Sequence, residues 1–370
     1  MKSNSFALYR LPHHQVCTLV EQTSGEPQLL SSPTELSGAC GYVVAPFAIS
    51  PETPLLLIRP DKVMEVTEQT LGLDGANLEF PVSKPQVYRN ETHSLVTANS
   101  DLHSSYLENF SYFHNSLKEG ELRKVVLSRC KEMPRTSNEP PVRLFWEACR
   151  RYPRLFVALV FTPQSGLWLM ATPEVLLQGD GCRWSTMALA GTMRMDDEQL
   201  QGEGEAARWS AKNIEEQRYV ATYISQQLAA FSHDVSEEGP RTVRAAHLVH
   251  LRSDFHFTLL NNARIGEVLQ ALHPTPAVCG LPKEKAFRFI LDHERTPRLY
   301  YSGFTGPLSL STQPSTLSTS LYVSLRCMQI TADSYRLYAG GGLLRDSIAE
   351  QEWLETEAKL ETMRQLIVKL

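Results

Sequence analysis

The sequence predicts an α+β protein. Strand-like runs are interrupted by long helices without a regular strand–helix–strand alternation, which separates this class from the parallel α/β folds. The first hundred residues are punctuated by proline and turn residues around short apolar runs, and three later segments carry apolar residues at helical spacing.

In chain order, "CGYVVAPFAI" and "TPLLLIRP" read as strands. In "SYLENFSYFHNSLKEGELRKVVLSR", Tyr106, Phe110, Phe113 and Leu117 recur on one helical face, Gly120 closes the helix, and a strand starts near Lys124. "RLFVALVF", "SGLWLMATPEVLLQGDG" and "CRWSTMALAGT" follow as strands separated by turns. The stretch 203–232 is a long helix, 242–260 returns to strand, and "EVLQALH" is helical. "LYVSLRCMQITADSYRLYAGGGLL" has the pattern of a hairpin, and 348–370 forms a closing helix.

The 370 residues are 42% hydrophobic and 21% charged, a soluble globular composition with no apolar run able to span a bilayer. The N-terminus lacks the charged and apolar regions of a secretory signal. Seven cysteines (17, 40, 130, 149, 182, 279, 327) lack close spacing, which points to reduced thiols and a cytoplasmic setting and away from a disulfide framework or zinc site. A formal charge of −5 gives no electrostatic reason to expect nucleic acid.

Several polar residues stand where the pattern wants apolar ones. Lys124 heads an apolar strand, a poor place for a lysine. Glu216 falls on or beside a helical stripe of Trp209, Asn213, Val220, Tyr223 and Gln227. It is either an edge carboxylate paired with Lys212 or a partly buried one that needs a cation. Glu352, Glu355 and Lys359 share a face of the closing helix, where Glu355 and Lys359 make a good i, i+4 pair. Acidic positions on two helices suit a divalent cation such as Mg²⁺, although either helix taken singly is accounted for by a solvated charged face. The triple glycine of "YAGGGLL" matches no nucleotide loop; its glycines alone favour a turn over a close backbone approach to a ligand. Arg326 lies within a β-run, where it is either an edge residue or an anion binder, and His250 alone reads as a hydrogen-bonded core histidine.

Together, "KVVLSR", "ATPEVLL", "ALAGTMR", "KNIEEQ", "HLRS", "HPTPAVCGLP", "YYSGFTG", "SLRC", "YAGGGL" and "EWLETEAKL" resemble, in one order from about residue 100 to the C-terminus, the chorismate-utilising enzymes. That family includes isochorismate synthase, salicylate synthase, anthranilate synthase component I and aminodeoxychorismate synthase component I. The resemblance implies one domain over 1–370, with a variable N-terminal part (1–100) and the catalytic motifs in 100–370. It also implies a two-layered antiparallel β core with helices packed outside, around a cleft for chorismate and Mg²⁺. Glu216 and Glu355 match the metal-binding glutamates and Glu352 a nearby carboxylate acting through water. Gln217 departs from the family's usual histidine.

By the same resemblance, Lys124 is the general base and Glu174 the general acid of water addition at C2 of the ring with loss of the C4 hydroxyl. A lysine serves as base only when its pKa falls toward neutrality, and a glutamate as acid only when its pKa rises. His250 matches a histidine near the ring carboxylate and leaving hydroxyl. Arg326 and Tyr301 match residues that hold the enolpyruvyl carboxylate. Gly191 and Gly340 match backbone anion donors, with Thr192 beside them in the substrate site. Ammonia-using members carry glutamine in place of Lys124, and they and salicylate synthases carry threonine in place of Ala277. Lysine with alanine implies water as nucleophile and release of isochorismate. Salicylate synthase is the runner-up, and a catalytically silent homologue is the alternative of another class. The expected setting is a cytoplasmic monomer without a glutaminase subunit, nucleic acid or membrane, and "HLRS" leans toward menaquinone rather than siderophore synthesis.

Overall fold

The structure is a computed structural model that describes residues 5–72, 102–136, 139–194, 208–245, 248–259, 261, 264–310 and 318–368. The start of the predicted 203–232 helix, residues 246–247 and 260 of the predicted 242–260 strand, and residues 73–101 lie outside the described residues.

Along the chain run β1 (Ser5–Arg10), β2 (Cys17–Gln22), β3 (Gln28–Leu30), β4 (Gly41–Ala45), β5 (Leu55–Ile58), β6 (Lys62–Val66) and the single turn α1 (Glu68–Leu71). Then come α2 (Leu102–Lys118), β7 (Lys124–Pro134), α3 (Pro141–Arg151), β8 (Phe156–Thr162), β9 (Gly166–Thr172), β10 (Val175–Asp180), β11 (Arg183–Arg194) and α4 (Ala211–Leu228). The last part holds β12 (Ser236–Ala245), β13 (Leu248–Thr258), α5 (Ile265–Leu272), β14 (Gly280–Leu281), α6 (Lys283–His293), β15 (Phe304–Leu308), β16 (Ser318–Val323), β17 (Cys327–Ile330), β18 (Ser334–Leu343) and α7 (Ala349–Ile367).

The strands form two nine-stranded antiparallel sheets, ordered β14-β7-β18-β17-β9-β8-β1-β2-β6 and β12-β13-β11-β10-β16-β15-β4-β5-β3. Their inner faces meet in an aromatic-rich layer. Phe156 of β8 stacks on Tyr322 of β16 with ring centres 4.1 Å apart, and Tyr9 of β1 lies 5.5 Å from Tyr42 of β4. Outside, α3 and α7 cover the first sheet through Phe145, Trp146, Leu360 and Met363. The second sheet is covered by α4 and α5 through Val220, Ile224, Val268 and Leu269. A strand such as β8, buried along all seven residues, is apolar up to its final Thr162 because both faces are packed.

The α+β class and layered architecture are as expected, and four local expectations change. The segment 165–181 is two strands, β9 and β10, one in each sheet. The predicted hairpin over 321–344 is also divided: β17 and β18 pair as a hairpin in the first sheet, while β16 belongs to the second. Arg326 is therefore not a strand residue but lies in the crossing between sheets, with φ +45°. The three glycines do not make a turn. They are mid-strand, Gly340, Gly341 and Gly342 facing Ser128, Leu127 and Val126 of β7.

Candidate active site

The two chain crossings set the geometry. β9 passes to β10 through Pro173–Glu174, and β16 passes to β17 through Ser324–Arg326. Because β9 pairs with β17 and β10 with β16, the crossings run side by side. They are tied together by Val323 N–H to Glu174 O (2.9 Å) and Ala171 N–H to Arg326 O (3.0 Å). Glu174 and Arg326 thus lie at the seam, buried to 2% and 6% exposure. Burial raises the Glu174 carboxyl to about 8 against the opposing pull of Lys124, Lys359 and Arg326. Burial likewise lowers the Arg326 guanidinium, to about 10.

His250, on β13, joins Arg326 to a bulge in β11. Its Nε2 accepts from Arg326 Nη2 (3.0 Å) and its Nδ1 lies 3.1 Å from Gly191 O. Arginine only donates and a carbonyl only accepts, so the imidazole carries its proton on Nδ1. Burial, then Arg326 and Lys359, hold it well below the usual histidine range and hence neutral. The bulge shifts the register between Ala190 and Thr192. Gly191 there has φ +66°, which favours glycine, and a Cβ would make a tight 3.1 Å contact with Asn213 O. Gln217 serves the same bulge, its Oε1 accepting from Ala190 N–H (2.9 Å) and its Nε2 donating to Ala188 O (3.2 Å). Gln217, where the resemblance expects a histidine, thus provides an amide that saturates two backbone groups.

A cavity at the seam is lined by Glu174, Gly191, Thr192, Glu216, His250, Ala277, Tyr301, Arg326 and Gly340, nine of the twelve residues singled out from the sequence. Lys359 also lines it, a role hidden in the sequence by its pairing with Glu355 at 2.6 Å. The free space in it is about 60 Å³. Tyr301 stacks on Tyr338 at 5.6 Å, and a Cβ on Gly340 would press within 2.8 Å of its hydroxyl. A larger groove of about 620 Å³, bordered by Asp180, Arg183, Asp234 and His256, contains none of the twelve.

Lys124, Glu352 and Glu355 stand behind the cavity wall. Lys124 is fully buried, its Nζ donating to Pro276 O (2.6 Å) and pairing with Glu216 (3.1 Å). In this state the lysine expected to face the cleft meets Glu216 and the 275–279 segment instead. Lys212 pairs not with Glu216 one turn on but with Glu352 of α7. The glycines of β18 make room for these carboxylates. A Cβ on Gly342 would fall on Glu216 Oε1, and one on Gly341 would lie 3.3 Å from Glu352 Oε2 and 3.9 Å from Glu355 Oε1.

Burial, then Glu355, pushes Glu352 up to about 7, while Lys359 and Lys212 hold Glu355 below the usual carboxylate range against its burial. Among the described residues no three acidic, histidine or cysteine side chains are grouped as a ready metal cluster. Each carboxylate is neutralised by a lysine, yet among the described residues Glu352 Oε2 is buried without a hydrogen-bond partner, and the oxygens are hard donors of the kind Mg²⁺ takes.

This two-sheet fold, with an acid and a buried arginine–histidine pair at its seam, is that of a chorismate-binding enzyme, and the chain belongs to that family. The family described as "Chorismate binding enzyme" matches residues 55–368. The chain is 34% identical over 254 residues to isochorismate synthase MenF of Escherichia coli K12, covering 68% of this chain and 57% of that protein. It is 33% identical over 259 residues to the salicylate biosynthesis isochorismate synthase of Pseudomonas aeruginosa, 68% of this chain and 52% of the relative. The matched stretch thus spans little more than half of either relative. The solved structure of MenF, the menaquinone-specific isochorismate synthase from Escherichia coli, superposes with a TM-score of 0.76 at 25% identity, over 99% of this chain and 89% of that one. Anthranilate synthase component I from Streptococcus pneumoniae shares the fold, with a TM-score of 0.67 at 17% identity over 97% and 89% of the chains.

Proposed function

We propose that this chain is an isochorismate synthase that isomerises chorismate with Mg²⁺. The observation that carries the reading is the buried Glu174, whose pKa of about 8 keeps a carboxylic acid protonated at neutral pH inside a cavity shared with Arg326 and His250. The residues match the motifs of the family, and the curated relatives above carry that name.

In the reaction, Lys124 has the role of base that the resemblance gives it: released from Glu216 and Pro276 O, it takes a proton from the attacking water, whose oxygen bonds to ring C2. The ring double bonds shift, the C4–O bond breaks, and Glu174 gives its proton to the departing hydroxyl, so that atoms balance as an isomerisation. Each proton transfer contributes roughly 10²–10⁴-fold. Arg326 and Tyr301 hold the enolpyruvyl carboxylate, while neutral His250 keeps the guanidinium in place through its Nε2. Glu216 and Glu355, with Glu352 beside them, would hold the Mg²⁺, which when bound neutralises and orients the ring carboxylate.

We read the enzyme as a cytoplasmic monomer that needs no glutaminase subunit. "HLRS" inclines its product toward menaquinone. Among the described residues no helix is long and apolar enough to cross a membrane.

The test is product analysis on the purified chain with chorismate and Mg²⁺, without and with ammonia. Isochorismate alone, with no pyruvate, is the expected result. Salicylate with pyruvate makes it a salicylate synthase, an aminated product overturns the role of Lys124, and chorismate bound but unchanged means a silent homologue.

A further inference from the structure

We propose that the buried Arg298–Glu294 pair is a positioning device that fixes Lys124, Ala277 and Tyr301 relative to one another. The reaction it serves rests on the isochorismate synthase reading. Both side chains are 3% exposed and meet side-on, Arg298 Nε to Glu294 Oε2 at 2.6 Å and Nη2 to Oε1 at 2.8 Å. For stability alone such a pair is a poor investment, since well-packed apolar side chains of similar volume often do as well or better. Apolar side chains would, however, leave three buried backbone groups without partners.

Those groups belong to the walls of the site. On its outer edge β7 pairs with the two-residue β14 and with Cys279 O through Val126 N–H (2.7 Å). Beyond that the ion pair replaces the missing strand. Arg298 Nη2 donates to Val126 O (2.8 Å), and Glu294 Oε1 accepts from Ser128 N–H (2.7 Å). Arg298 Nη1 donates to Val278 O (2.6 Å), beside Ala277 and close to the Pro276 carbonyl that receives Lys124. The backbone of Arg298 begins the turn into Tyr301, whose N–H bonds to Arg298 O (2.9 Å). Phe47 packs its ring 4.3 Å from the guanidinium. One guanidinium therefore joins the strand of the base, the segment of the residue said to govern elimination, and the turn carrying a carboxylate ligand.

The test compares the parent with Arg298→Lys, which keeps the charge but loses the planar fork, and with Glu294→Gln, in the full chain well below the melting temperature. Both folded variants are expected to lose about 100-fold in kcat, the scale of a 1 Å misplacement, with KM little changed. Folded variants with parental kcat, or losses wholly explained by the unfolded fraction, overturn the proposal. Hydrogen exchange read by mass spectrometry forms a second arm, independent of turnover. Faster exchange confined to residues 125–128, 276–280 and 299–302 supports the proposal, and exchange that is unchanged or raised throughout overturns it. Should the parent not convert chorismate, the isomerase reading fails and this second arm alone decides the positioning role.

Discussion

At the residue scale, Glu174 carries the sharpest expectations. Its proton is held to about pH 8 by burial, so kcat/KM should fall as pH rises through that value, measured as a full pH–rate profile. Glu174→Gln should lose roughly 10²–10⁴-fold in kcat. It should not lose stability at pH 7, because the folded parent already carries a neutral side chain there. The sign follows from linkage. With the folded pKa raised above the unfolded one, the unfolded state releases its proton first as pH rises, so the parent's stability drains between roughly pH 4.5 and 8. Melts recorded by circular dichroism at pH 5, 7 and 8.5 should show the glutamine variant gaining on the parent across that window. Nothing local in "ATPEVLL" announces this acid; the burial is made by two strands that change sheets, which no periodicity encodes. Lys124 was legible alone, as a lysine heading an apolar run, whereas Lys359 was masked by its i, i+4 pairing with Glu355, which is real but lies at the cavity rather than on a solvated face.

At the element scale, β18 and α7 act together. A Cβ on Gly342 would fall on Glu216 Oε1 and lie 3.0 Å from Lys124 Cε, so any side chain there must displace one of them. Gly342→Ala should therefore lose about 100-fold in activity and about 1–3 kcal/mol of stability by urea unfolding. Glu355→Gln should raise the Mg²⁺ concentration for half-maximal rate by more than the 10–100-fold typical of lost supporting contacts, read by titrating metal into chelator-stripped enzyme. If the rate of the stripped parent needs no added metal, the Mg²⁺ proposal fails.

The helices with strong stripes, α2, α4 and α7, were legible. The buried face of α4 takes in Glu216 and Val220 of the expected stripe together with Ile224 and Leu228, and widens to Gln217 and Ala221 because Gln217 is turned inward to the β11 bulge. The eleven-residue α3 and α6 went unassigned, although α3 turns one apolar face, with Leu144, Phe145 and Ala148, to the core. The hairpin and glycine misreadings share one cause. Alternation identifies a strand but not the sheet that receives it, and a glycine needed for closeness looks like one needed for a turn.

At the scale of the whole molecule, the α+β class was readable from composition and pattern, and the layered core only through the ordered motifs. The site belongs to neither sheet alone: its acid and its arginine sit where the chain leaves one sheet for the other. The role of the first residues could not be read from their turn-rich sequence, and the topology now shows it. β1, β2 and β6 extend the first sheet from β8, while β3, β4 and β5 extend the second from β15. Removing residues 1–72 would bare the flanks of β8 and β15 at once, two rows of unpaired amides and carbonyls on strands buried along their whole length. Such flanks template intermolecular pairing. The shortened chain should self-associate on expression, visible by light scattering, even though every catalytic motif remains. The weakly patterned opening of the sequence thus supplies the strands that cover the flanks of β8 and β15.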